Sequence, residues 1–447
     1  MGQNLLAFLG GFMFLIVVYV FTILIYNTYF HPLAGFPGPK LWASTRFTYV
    51  FSIWSGYLAR DVRQIHEQYG DFVRIAPDEI SIASPEAWHD VYSNQTSREA
   101  LPKSKLWHSP APGRPKSILN ALDPKDHQRF RRSIEPGLSE KALREQEDIM
   151  QTYVSSMIAK LEKTVSSKGG ADVVDISSNA GCFVALLPWL ELANEPSHSK
   201  ECYALNLEMT RPDILSYIKI DDKGVNGLTL PEVQATSSII IIAGSETTVS
   251  ILSGITNYLV RNPAKLDLLT TDIRKAFASF EDIKLLKLRD LRYLNAVIQE
   301  GFRLCNPTPV GLPRIVPSNG VRIAGQYIPG NTFVNVHPLA ISLSGKLFAK
   351  PDEFIPERWL DSALKDELSP FHDDHRGAVQ VFSVGPRSCP GKHLALAEIR
   401  LMLSKLIWKF DLAVADTPRG KLHWNEQRVF SVVERQPFEI LIKTREI

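Results

Sequence analysis

The stretch Phe382-Ser-Val-Gly-Pro-Arg-Ser-Cys-Pro-Gly391 places one cysteine among two glycines, two prolines and an arginine, and a helical run follows at 392–400. A cysteine that ligates iron must remain a thiolate, so it needs backbone donors and a tight loop. Gly385 can adopt backbone angles that other residues avoid, and Gly391 lets the next helix approach closely. The N-terminus of that helix favours negative charge on sulfur. The stretch therefore predicts Cys389 as a metal-ligating thiolate.

Two simpler interpretations of this cysteine explain the stretch less well. A lone cysteine is usually a small core hydrophobe, but that leaves the surrounding glycines and arginine unexplained. A phosphate-binding loop needs four residues between its glycines and a Ser or Thr after its lysine. Five residues separate Gly385 from Gly391, and His393 follows Lys392. The sequence therefore excludes a phosphate loop.

The pattern F-x-x-G-x-R-x-C-x-G resembles the haem-binding signature of the cytochrome P450 family at every fixed position. The resemblance implies a mainly α fold with a minor β-sheet region and haem b ligated through Cys389. A thiolate ligand pushes electron density onto iron and favours O–O cleavage. The resemblance also implies that Phe382 covers the proximal side of the ring and that Arg387 supplies a cation for a haem propionate.

Glu300-Gly-Phe-Arg303 and Phe354-Ile-Pro-Glu-Arg-Trp359 precede the cysteine loop. An acid and a base three residues apart on a helix are, by themselves, a common surface pair of little energetic value. In this order and spacing the two segments resemble paired motifs of the same family. The resemblance implies a buried charge network of Glu300, Arg303 and Arg358 that supports the proximal side of the haem.

Ala243-Gly-Ser-Glu-Thr-Thr248 interrupts an apolar helical run. Hydroxyl side chains within a helix can bond back to a carbonyl one turn earlier and bend the helix. A slightly polar core helix would explain the segment if it stood alone. It resembles the family's distal-helix motif, which implies that Glu246 and Thr247 help deliver protons to iron-bound dioxygen.

His127 and Arg131 in His127-Gln-Arg-Phe-Arg131 share one helical face. A solvated basic helix is the usual explanation for such a segment. Its resemblance to the third helix of fungal members of the family implies that both residues bind haem propionates. Arg314, in Gly311-Leu-Pro-Arg314, resembles another propionate contact, and Val310 is expected in the substrate pocket. Three cations on nearly the opposite face are predicted to meet an acidic redox partner: Lys125, Arg129 and Arg132.

No charged residue precedes Lys40. Leu5–Tyr26 would be roughly 33 Å long as a helix, enough to cross a bilayer. A cleaved signal peptide should have a basic start and a shorter apolar run. We therefore predict a transmembrane anchor at 1–30 and a haem domain at 31–447. By the positive-inside rule, the first cations after the anchor place this domain in the cytosol: Lys40, Arg46, Arg60 and Arg63. The membrane is expected to be that of the endoplasmic reticulum.

Composition sets broad limits on function. A net charge of +2 and 22% charged residues give no support for nucleic acid as a partner. The four cysteines are widely spaced without a C-x-x-C motif, which argues against a disulfide framework or a zinc site. A reducing compartment fits these features best.

Ala243 follows Arg131 by only 112 residues, although the family places several helices in this interval. The segment 175–203 offers room for two helices at most, at roughly 11 residues per helix and about 4–6 per loop. The resemblance thus implies a shortened segment before the distal helix. We expect a truncated, unusually open cap over the substrate pocket.

The resemblance extends to fungal family members of secondary metabolism. It implies a monooxygenase that inserts one oxygen atom into a lipophilic small molecule, with electrons from NADPH through NADPH-cytochrome P450 reductase. Cytochrome b5 is a second candidate electron donor. The shortened segment motivates an alternative, a haem-binding but catalytically impaired membrane protein. A non-haem iron site at His372, Asp373 and His375 is a third alternative, but a solvated polar loop explains that cluster more simply.

Overall fold

The computed structural model describes residues 2–96, 98–176, 217–221, 224, 227–430 and 432–445. Most of the predicted short segment 175–203 therefore lies outside the described residues. The first helices are α1 Gly2–Ile25, α2 Lys40–Ser44, α3 Phe47–Ser55, α4 Leu58–Tyr69, α5 Ala87–Tyr92, α6 Lys105–His108, α7 Pro124–Ile134, α8 Glu140–Glu145 and α9 Glu147–Ser167. Later helices are α10 Leu230–Val260, α11 Pro263–Ala276, α12 Leu285–Leu288, α13 Arg292–Leu304, α14 Pro338–Ser342, α15 Asp361–Lys365 and α16 Lys392–Lys409.

The strands are short, as the sequence predicts for a minor sheet region. They are β1 Phe72–Ala76, β2 Glu79–Ile82, β3 Ala171–Asp175, β4 Arg314–Ile315, β5 Val321–Ile323, β6 Gln326–Ile328, β7 Phe333–Val336, β8 Phe410–Val414, β9 Arg428–Val429, β10 Val433–Glu434 and β11 Glu439–Thr444. Among the described residues, one mixed sheet has the order β1-β2-β7-β4, and an antiparallel sheet has the order β3-β11-β8. The mainly α fold with small sheets is confirmed.

Helix α1 continues into a π-helical turn, Tyr26–Phe30. Phe8–Phe30 is long and apolar enough to cross a membrane, and none of it is buried against the rest of the chain. Helix α10 passes the same length and composition test, but 56% of its apolar window is buried. It is therefore a core helix of the domain, whereas α1 has the character of the predicted anchor.

The core forms where α10 crosses α13 and α16. Glycines allow the close approach: a Cβ at Gly301 would lie 2.3 Å from Cγ1 of Ile255, and one at Gly254 would lie 2.5 Å from Sγ of Cys305. Such separations are far below van der Waals contact, so larger residues would push the helices apart. The crossing fixes α10 relative to α13 and to α16, which begins just after the cysteine loop.

Arg129 corrects one prediction from the sequence. Its guanidinium donates to both carboxylate oxygens of Glu232, at 2.6 and 2.9 Å, and to the carbonyl of Gly227 at 2.9 Å. Glu232 also accepts from the backbone N–H of Thr229, closing a capping box at the start of α10. The prediction that Arg129 faces a redox partner is wrong, because it joins α7 to α10. Lys125 and Arg132 are exposed.

Candidate active site

The cysteine loop is held by backbone hydrogen bonds and by one sterically required glycine. The N–H of Cys389 donates to the carbonyl of Phe382 at 2.8 Å, and that of Ser388 donates to the carbonyl of Gly385 at 3.0 Å. Gly385 has φ +77°, and an added Cβ would lie 2.1 Å from the carbonyl oxygen of Tyr92. Both the backbone conformation and the contact with the end of α5 therefore exclude a side chain here.

Substituting Gly385 with Ala should displace the cysteine loop, because backbone atoms of α5 cannot move aside as a flexible side chain could. We expect haem retained per protein after gel filtration to fall at least about tenfold, the lower end of losses seen when the support of a metal ligand is disturbed. Gly377→Ala is the matched control, since nothing lies within 4 Å of an added Cβ there. Equal haem retention by the two variants would contradict this steric role for Gly385.

Gly391 plays a different part from the predicted one. Its φ is −84°, and the only atom within 4 Å of an added Cβ is Sγ of Cys389, at 3.9 Å. The prediction that Gly391 permits close approach of the next helix is therefore wrong. The glycine instead leaves space beside the sulfur, and its N–H is a hydrogen-bond donor to the Cys389 thiol.

The thiol of Cys389 is reached by solvent, yet protein atoms surround it on most sides. This burial raises the pKa of the Cys389 thiol, while the Gly391 N–H and the positive charge of Arg131 act in the opposite direction. A bound metal ion would deprotonate such a thiol outright. The loop therefore fits a thiolate whose charge is stabilised mainly by the metal.

Phe382 lies beside the cysteine in contact with α13. Its ring packs edge-on against Phe302, with centroids 5.2 Å apart, and the Lys392 ammonium lies 5.9 Å from its centroid. A cavity of about 420 Å³ between α13 and the start of α16 reaches this ring and Cys389. The phenyl ring of Phe382 is thus fixed next to the sulfur. This is the position it needs in order to cover one side of a haem ligated by Cys389.

Basic side chains converge around His127. Burial lowers the pKa of this imidazole to about 3, with further lowering by the charges of Arg387, Lys103, Arg131 and Arg314. The structure therefore brings Arg314 and Arg387, which are distant in the sequence, next to His127 and Arg131 of α7. A cavity of about 720 Å³ is lined by three of them, His127, Arg131 and Arg387, and extends along α7.

Lys103 and His108 join this cluster and were missed by the sequence reasoning. Burial lowers the pKa of Lys103 to about 7, and Arg314 and Arg387 lower it further. Burial likewise lowers the pKa of His108 to about 4, helped by the charge of Lys103. Lys103 pairs through its backbone with Arg314 in an isolated antiparallel bridge. Neither residue stands in a recognisable motif, so only the fold reveals them.

The cluster fits the propionates of haem. Within the described part of the chain, Lys103, Arg314 and Arg387 have no carboxylate within 4 Å. Arg387 donates to the carbonyls of Ala121 and Leu122, at 2.7 and 2.8 Å, which fixes its guanidinium in the cluster. Partly buried cations that repel one another are stabilised by a bound anion. A dianionic ligand next to a cysteine thiolate is what haem b provides.

Arg131 and Arg314 differ in their contacts. Arg131 Nη1 donates to the carbonyl of Ser388 at 2.5 Å, and Nη2 pairs with Glu135 at 3.2 Å. The contacts of Arg131 therefore hold the cysteine loop, and its bond to a propionate stays a prediction. The guanidinium of Arg314 lies 4.8 Å from the ring centroid of Tyr92. Val310, predicted in the substrate pocket, is half-buried, and its carbonyl accepts from Asn335 Nδ2 at 2.7 Å.

Lys103→Met should change how the stability of haem-free protein depends on pH. Folding lowers the pKa of Lys103 to about 7, so the folded state binds fewer protons than the unfolded state, in which a lysine titrates near 10.4. The stability of the wild-type chain should therefore rise with pH between about 7 and 9, and be lost as pH falls through about 7. Urea unfolding should show a weaker rise for Lys103→Met. The control is Lys105→Met, an exposed neighbour; parallel curves for the wild type and Lys103→Met would contradict the prediction.

Helix α10 carries the predicted Glu246 and Thr247. The hydroxyl of Thr247 donates to the carbonyl of Ala243 at 2.5 Å, and that of Ser250 donates to the carbonyl of Glu246 at 2.7 Å. The Glu246 carboxylate pairs with Arg435 at 2.7 Å, and the same guanidinium donates to the Glu246 carbonyl at 2.9 Å. Arg435 comes from the segment after β10 and was not foreseen from the sequence. It holds the acid at one position on the helix.

A second acid was also missed. Thr248 Oγ1 donates to Glu398 Oε2 at 3.3 Å, between α10 and α16. Burial raises the pKa of Glu398 to about 8, so this carboxyl is largely protonated at neutral pH. It joins the helix that follows Cys389 to the helix that carries Thr247.

Glu300, Arg303 and Arg358 form a fully buried network. Arg303 donates to both Glu300 oxygens, at 2.7 and 2.9 Å, and Arg358 Nε donates to Glu300 at 3.2 Å. Arg358 also pairs with Asp374, which sequence reasoning missed. Burial acts to raise the pKa of Glu300, but hydrogen bonds and charge from Arg303, then Arg358, outweigh it and lower the pKa. The carboxylate is therefore ionised within the core.

The considered non-haem iron site finds no support among the described residues. No group of three or more His, Cys, Asp or Glu side chains in that part of the chain is arranged to hold a metal ion. The sequence cluster His372, Asp373 and His375 is accordingly not brought together as a ligand set.

Comparison with known proteins agrees with this site. The family model for cytochrome P450 matches residues 198–441. Cytochrome P450 monooxygenase alt3 of Alternaria solani is 35% identical, over 96% of this chain and 93% of that protein. Cytochrome P450 monooxygenase aclL of Aspergillus oryzae is 33% identical over 96% of each. Averantin hydroxylase of Dothistroma septosporum is 32% identical, over 99% of this chain and 93% of that protein. The chain belongs to the cytochrome P450 family, and it is a monooxygenase of the kind found in fungal secondary metabolism.

The alignments also bear on chain length. The alignment with alt3 extends over 483 positions, whereas 96% of 447 residues is about 429. That relative therefore has residues at about 54 aligned positions where this chain has none. The number of aligned positions without a residue in this chain agrees with the loss of several helices at roughly 11 residues each.

Proposed function

We propose that this protein inserts one oxygen atom from dioxygen into a lipophilic small molecule of a secondary-metabolite pathway, in the terpenoid, polyketide or alkaloid class. The observation that carries the proposal is the arrangement of the Cys389 loop beside a cationic cluster, in a chain related to monooxygenases over almost its full length. Bound haem b supplies the oxygen chemistry. The residues of the chain bind the haem and hold or transfer protons.

Cys389 would ligate the iron, and the propionates would lie against the basic cluster. Within that cluster, the residues that would bind the propionates are His127, Arg131, Arg314, Arg387 and Lys103. Thr247 and Glu246 would hold and move protons at the distal side. The Glu246 side chain is 44% exposed, so its carboxylate can exchange protons with solvent while Arg435 keeps it in place. The Thr247 hydroxyl donates to Ala243, which leaves its oxygen free to accept a hydrogen bond.

We infer that α1 anchors the protein in the endoplasmic reticulum membrane as a single span at 1–30, with the haem domain 31–447 in the cytosol. The family implies a redox partner, and we propose NADPH-cytochrome P450 reductase, with cytochrome b5 as an additional donor. Lys125, Arg132 and Lys392 are exposed cations on the elements that carry or flank the cysteine loop. They suit an acidic partner surface.

The alternative is a haem-binding protein with impaired catalysis, favoured by the roughly 54 missing aligned positions. We place the missing residues before α10, where the sequence is shortest relative to the family. An open cap would admit water and uncouple NADPH oxidation from product formation. Product formed per NADPH consumed separates the two functions: tight coupling supports the monooxygenase, and NADPH oxidation without product supports the alternative.

Thr247→Ala tests the proton role directly. Substrates would first be selected by binding spectra against terpenoid, polyketide and alkaloid panels. Positioned proton donors typically contribute 10²–10⁴-fold, so product per NADPH should fall at least about tenfold while haem content is unchanged. Ser238→Ala is the control, since this serine on the same helix makes the same type of bond to the carbonyl of Gln234. Unchanged coupling in Thr247→Ala would refute the role.

A further inference from the structure

A cavity of about 510 Å³ lies between α4, the end of α13 and the two-stranded sheet of β9 and β10. Small-molecule sites commonly have volumes of about 300–1,000 Å³. None of the residues proposed to bind haem or to hold distal protons is among the described residues that line it. The cavity is therefore separate from the proposed haem site, and the proposed function does not use it.

Part of the cavity wall is apolar. Leu304 of α13 and Val433 of β10 are buried, and Leu339 and Leu343, in and after α14, are half-buried. The ring of Tyr258, near the end of α10, also lines the cavity and stacks on Phe354 with centroids 5.2 Å apart. A wall of this kind favours a ligand with an apolar skeleton.

Hydrogen-bond donors without partners lie in the same wall. Asn306 is 5% exposed; its Oδ1 accepts from the Thr308 N–H at 3.0 Å, whereas its Nδ2 has no partner among the described residues. Gln427 is 4% exposed; its Oε1 accepts from the Gln436 N–H at 2.8 Å, and its buried Nε2 has no partner in the described part of the chain. The Tyr258 hydroxyl donates to no described residue, and burial raises the pKa of this phenol, so it keeps its proton. Buried donors are normally paired in native proteins, so these three groups suit an oxygen acceptor on a ligand.

The charged side chains at the cavity favour an uncharged ligand. Arg63 Nε pairs with Glu67 at 2.7 Å, and Arg63 Nη2 pairs with Asp352 at 2.9 Å. Arg60 donates to a backbone carbonyl at 3.0 Å, and Glu426 is exposed. The wall thus has three carboxylates against two guanidiniums, and this balance gives no excess positive charge to hold an anion.

The cavity adjoins the segment that is predicted to line the substrate pocket. The N–H of Val433 donates to the carbonyl of Pro307 at 3.2 Å, and the N–H of Leu339 donates to the carbonyl of Pro309 at 3.3 Å. Val310, predicted in the substrate pocket, follows directly. A molecule in the cavity would therefore contact the residues that hold this segment in place.

We propose that this cavity binds a second small molecule, uncharged and lipophilic, that carries a carbonyl or hydroxyl oxygen. The oxygen would accept hydrogen bonds from the unpaired donors of Asn306, Gln427 and Tyr258. The apolar skeleton of the ligand would pack against the apolar part of the wall: Leu304, Leu339, Leu343 and Val433.

Prodan, an uncharged naphthyl ketone whose emission shifts when its carbonyl accepts a hydrogen bond, is a suitable probe. It would be titrated into the full-length haem-loaded protein in the presence of saturating clotrimazole, an azole that ligates iron and fills the substrate pocket. We expect saturable binding of prodan. The analogue in which a propyl group replaces the propionyl group should bind at least about fivefold more weakly, because the donors stay unpaired. The absorption shift caused by clotrimazole reports on the haem independently, so failure of the proposed function can be distinguished from failure of this site.

Tyr258→Phe tests the polar part of the wall. This variant keeps the ring that stacks on Phe354 and removes only the hydroxyl, so prodan should bind at least about fivefold more weakly. Tyr293→Phe is the matched control, because the Tyr293 hydroxyl donates to Glu357 at 2.9 Å and this residue does not line the cavity. Prodan binding should be unchanged in the control.

Leu343→Trp tests the cavity itself. The larger side chain should fill the space and weaken prodan binding at least about tenfold, whereas Leu364→Trp, at a leucine 46% exposed on α15, should not. Absence of saturable binding to the wild-type protein, or equal binding of the two probes, would overturn the proposal. Unchanged prodan binding in Leu343→Trp, or an equal loss in either control variant, would overturn it as well.

Discussion

Replacing Cys389 with Ala should abolish the thiolate-type absorption band of the reduced, carbon monoxide-bound protein. The N–H of Gly391 and the charge of Arg131 both act on the Cys389 sulfur, and the Cys389 N–H holds the loop by donating to the carbonyl of Phe382. Loss of residues that only support a metal ligand costs 10–100-fold in affinity or activity. Removal of the ligand itself should therefore lower product formation by more than about a hundredfold.

Cys305→Ala is the matched control for this experiment. Cys305 is the other free cysteine among the described residues; it is buried beside Gly254, and burial raises the pKa of its thiol well above the ordinary value. Its removal should cost about 1 kcal/mol of stability as a small cavity and leave the spectrum unchanged. A thiolate-type band that persists in Cys389→Ala but is lost in Cys305→Ala would reverse the assignment.

The parts of the site that were predictable are those in which chemistry constrains neighbouring residues. The stretch Phe382–Gly391 is one loop, so the roles of its glycine, arginine and cysteine can be predicted from one continuous segment. Gly385 has the positive φ that its position suggested. The pair Glu300 and Arg303 is likewise local on α13. Recognition of the family then linked Arg358 to this pair, and the structure brings the three together.

Residues that are brought to the site only by tertiary contacts could not be predicted from a local sequence motif. Lys103 and His108 lie in a segment without motif, and their role depends on the bridge that places them beside Arg314. Arg435 contacts Glu246 across 189 residues of sequence, and Asp374 meets Arg358 from a polar loop. Each is a single side chain whose sequence neighbours carry no signal. Their identification needs the tertiary contacts.

Two wrong predictions, for Arg129 and Gly391, show what residue type and spacing leave undetermined. Helical spacing assigned Arg129 correctly to a face, but its ion pair with Glu232, 103 positions later, makes that contact partly buried. At Gly391 the presence of a glycine suggested close packing, whereas the space serves the adjacent sulfur. A residue's type and spacing restrict what it can do, but its partner decides which possibility is realised.

Arg358→Met should be the most destabilising substitution in the charge network. It leaves the carboxylates of Glu300 and Asp374 without one of their cations, and the network is wholly buried. Breaking a buried ion pair by removing one partner costs about 3–5 kcal/mol, because an unpaired charge remains in the core. Out of a typical stability of about 5–15 kcal/mol, this is a large share. The midpoint of urea unfolding should fall accordingly, and haem should be lost at lower urea.

Lys265→Met supplies the control at a neighbouring ion pair. Lys265 pairs with Glu357 at 3.1 Å, directly beside Arg358 in sequence, but its side chain is 22% and that of Glu357 38% exposed. Partly solvated pairs contribute about 1 kcal/mol or less, so this variant should unfold close to the wild type. Comparing Arg358→Met with Lys265→Met isolates the effect of burying the ion pair, since both changes replace a cation with the same apolar residue. If Arg358→Met unfolded as late as Lys265→Met, the carboxylates of Glu300 and Asp374 would not be held by Arg358, and the support of the Cys389 region would have to come from Arg303 alone.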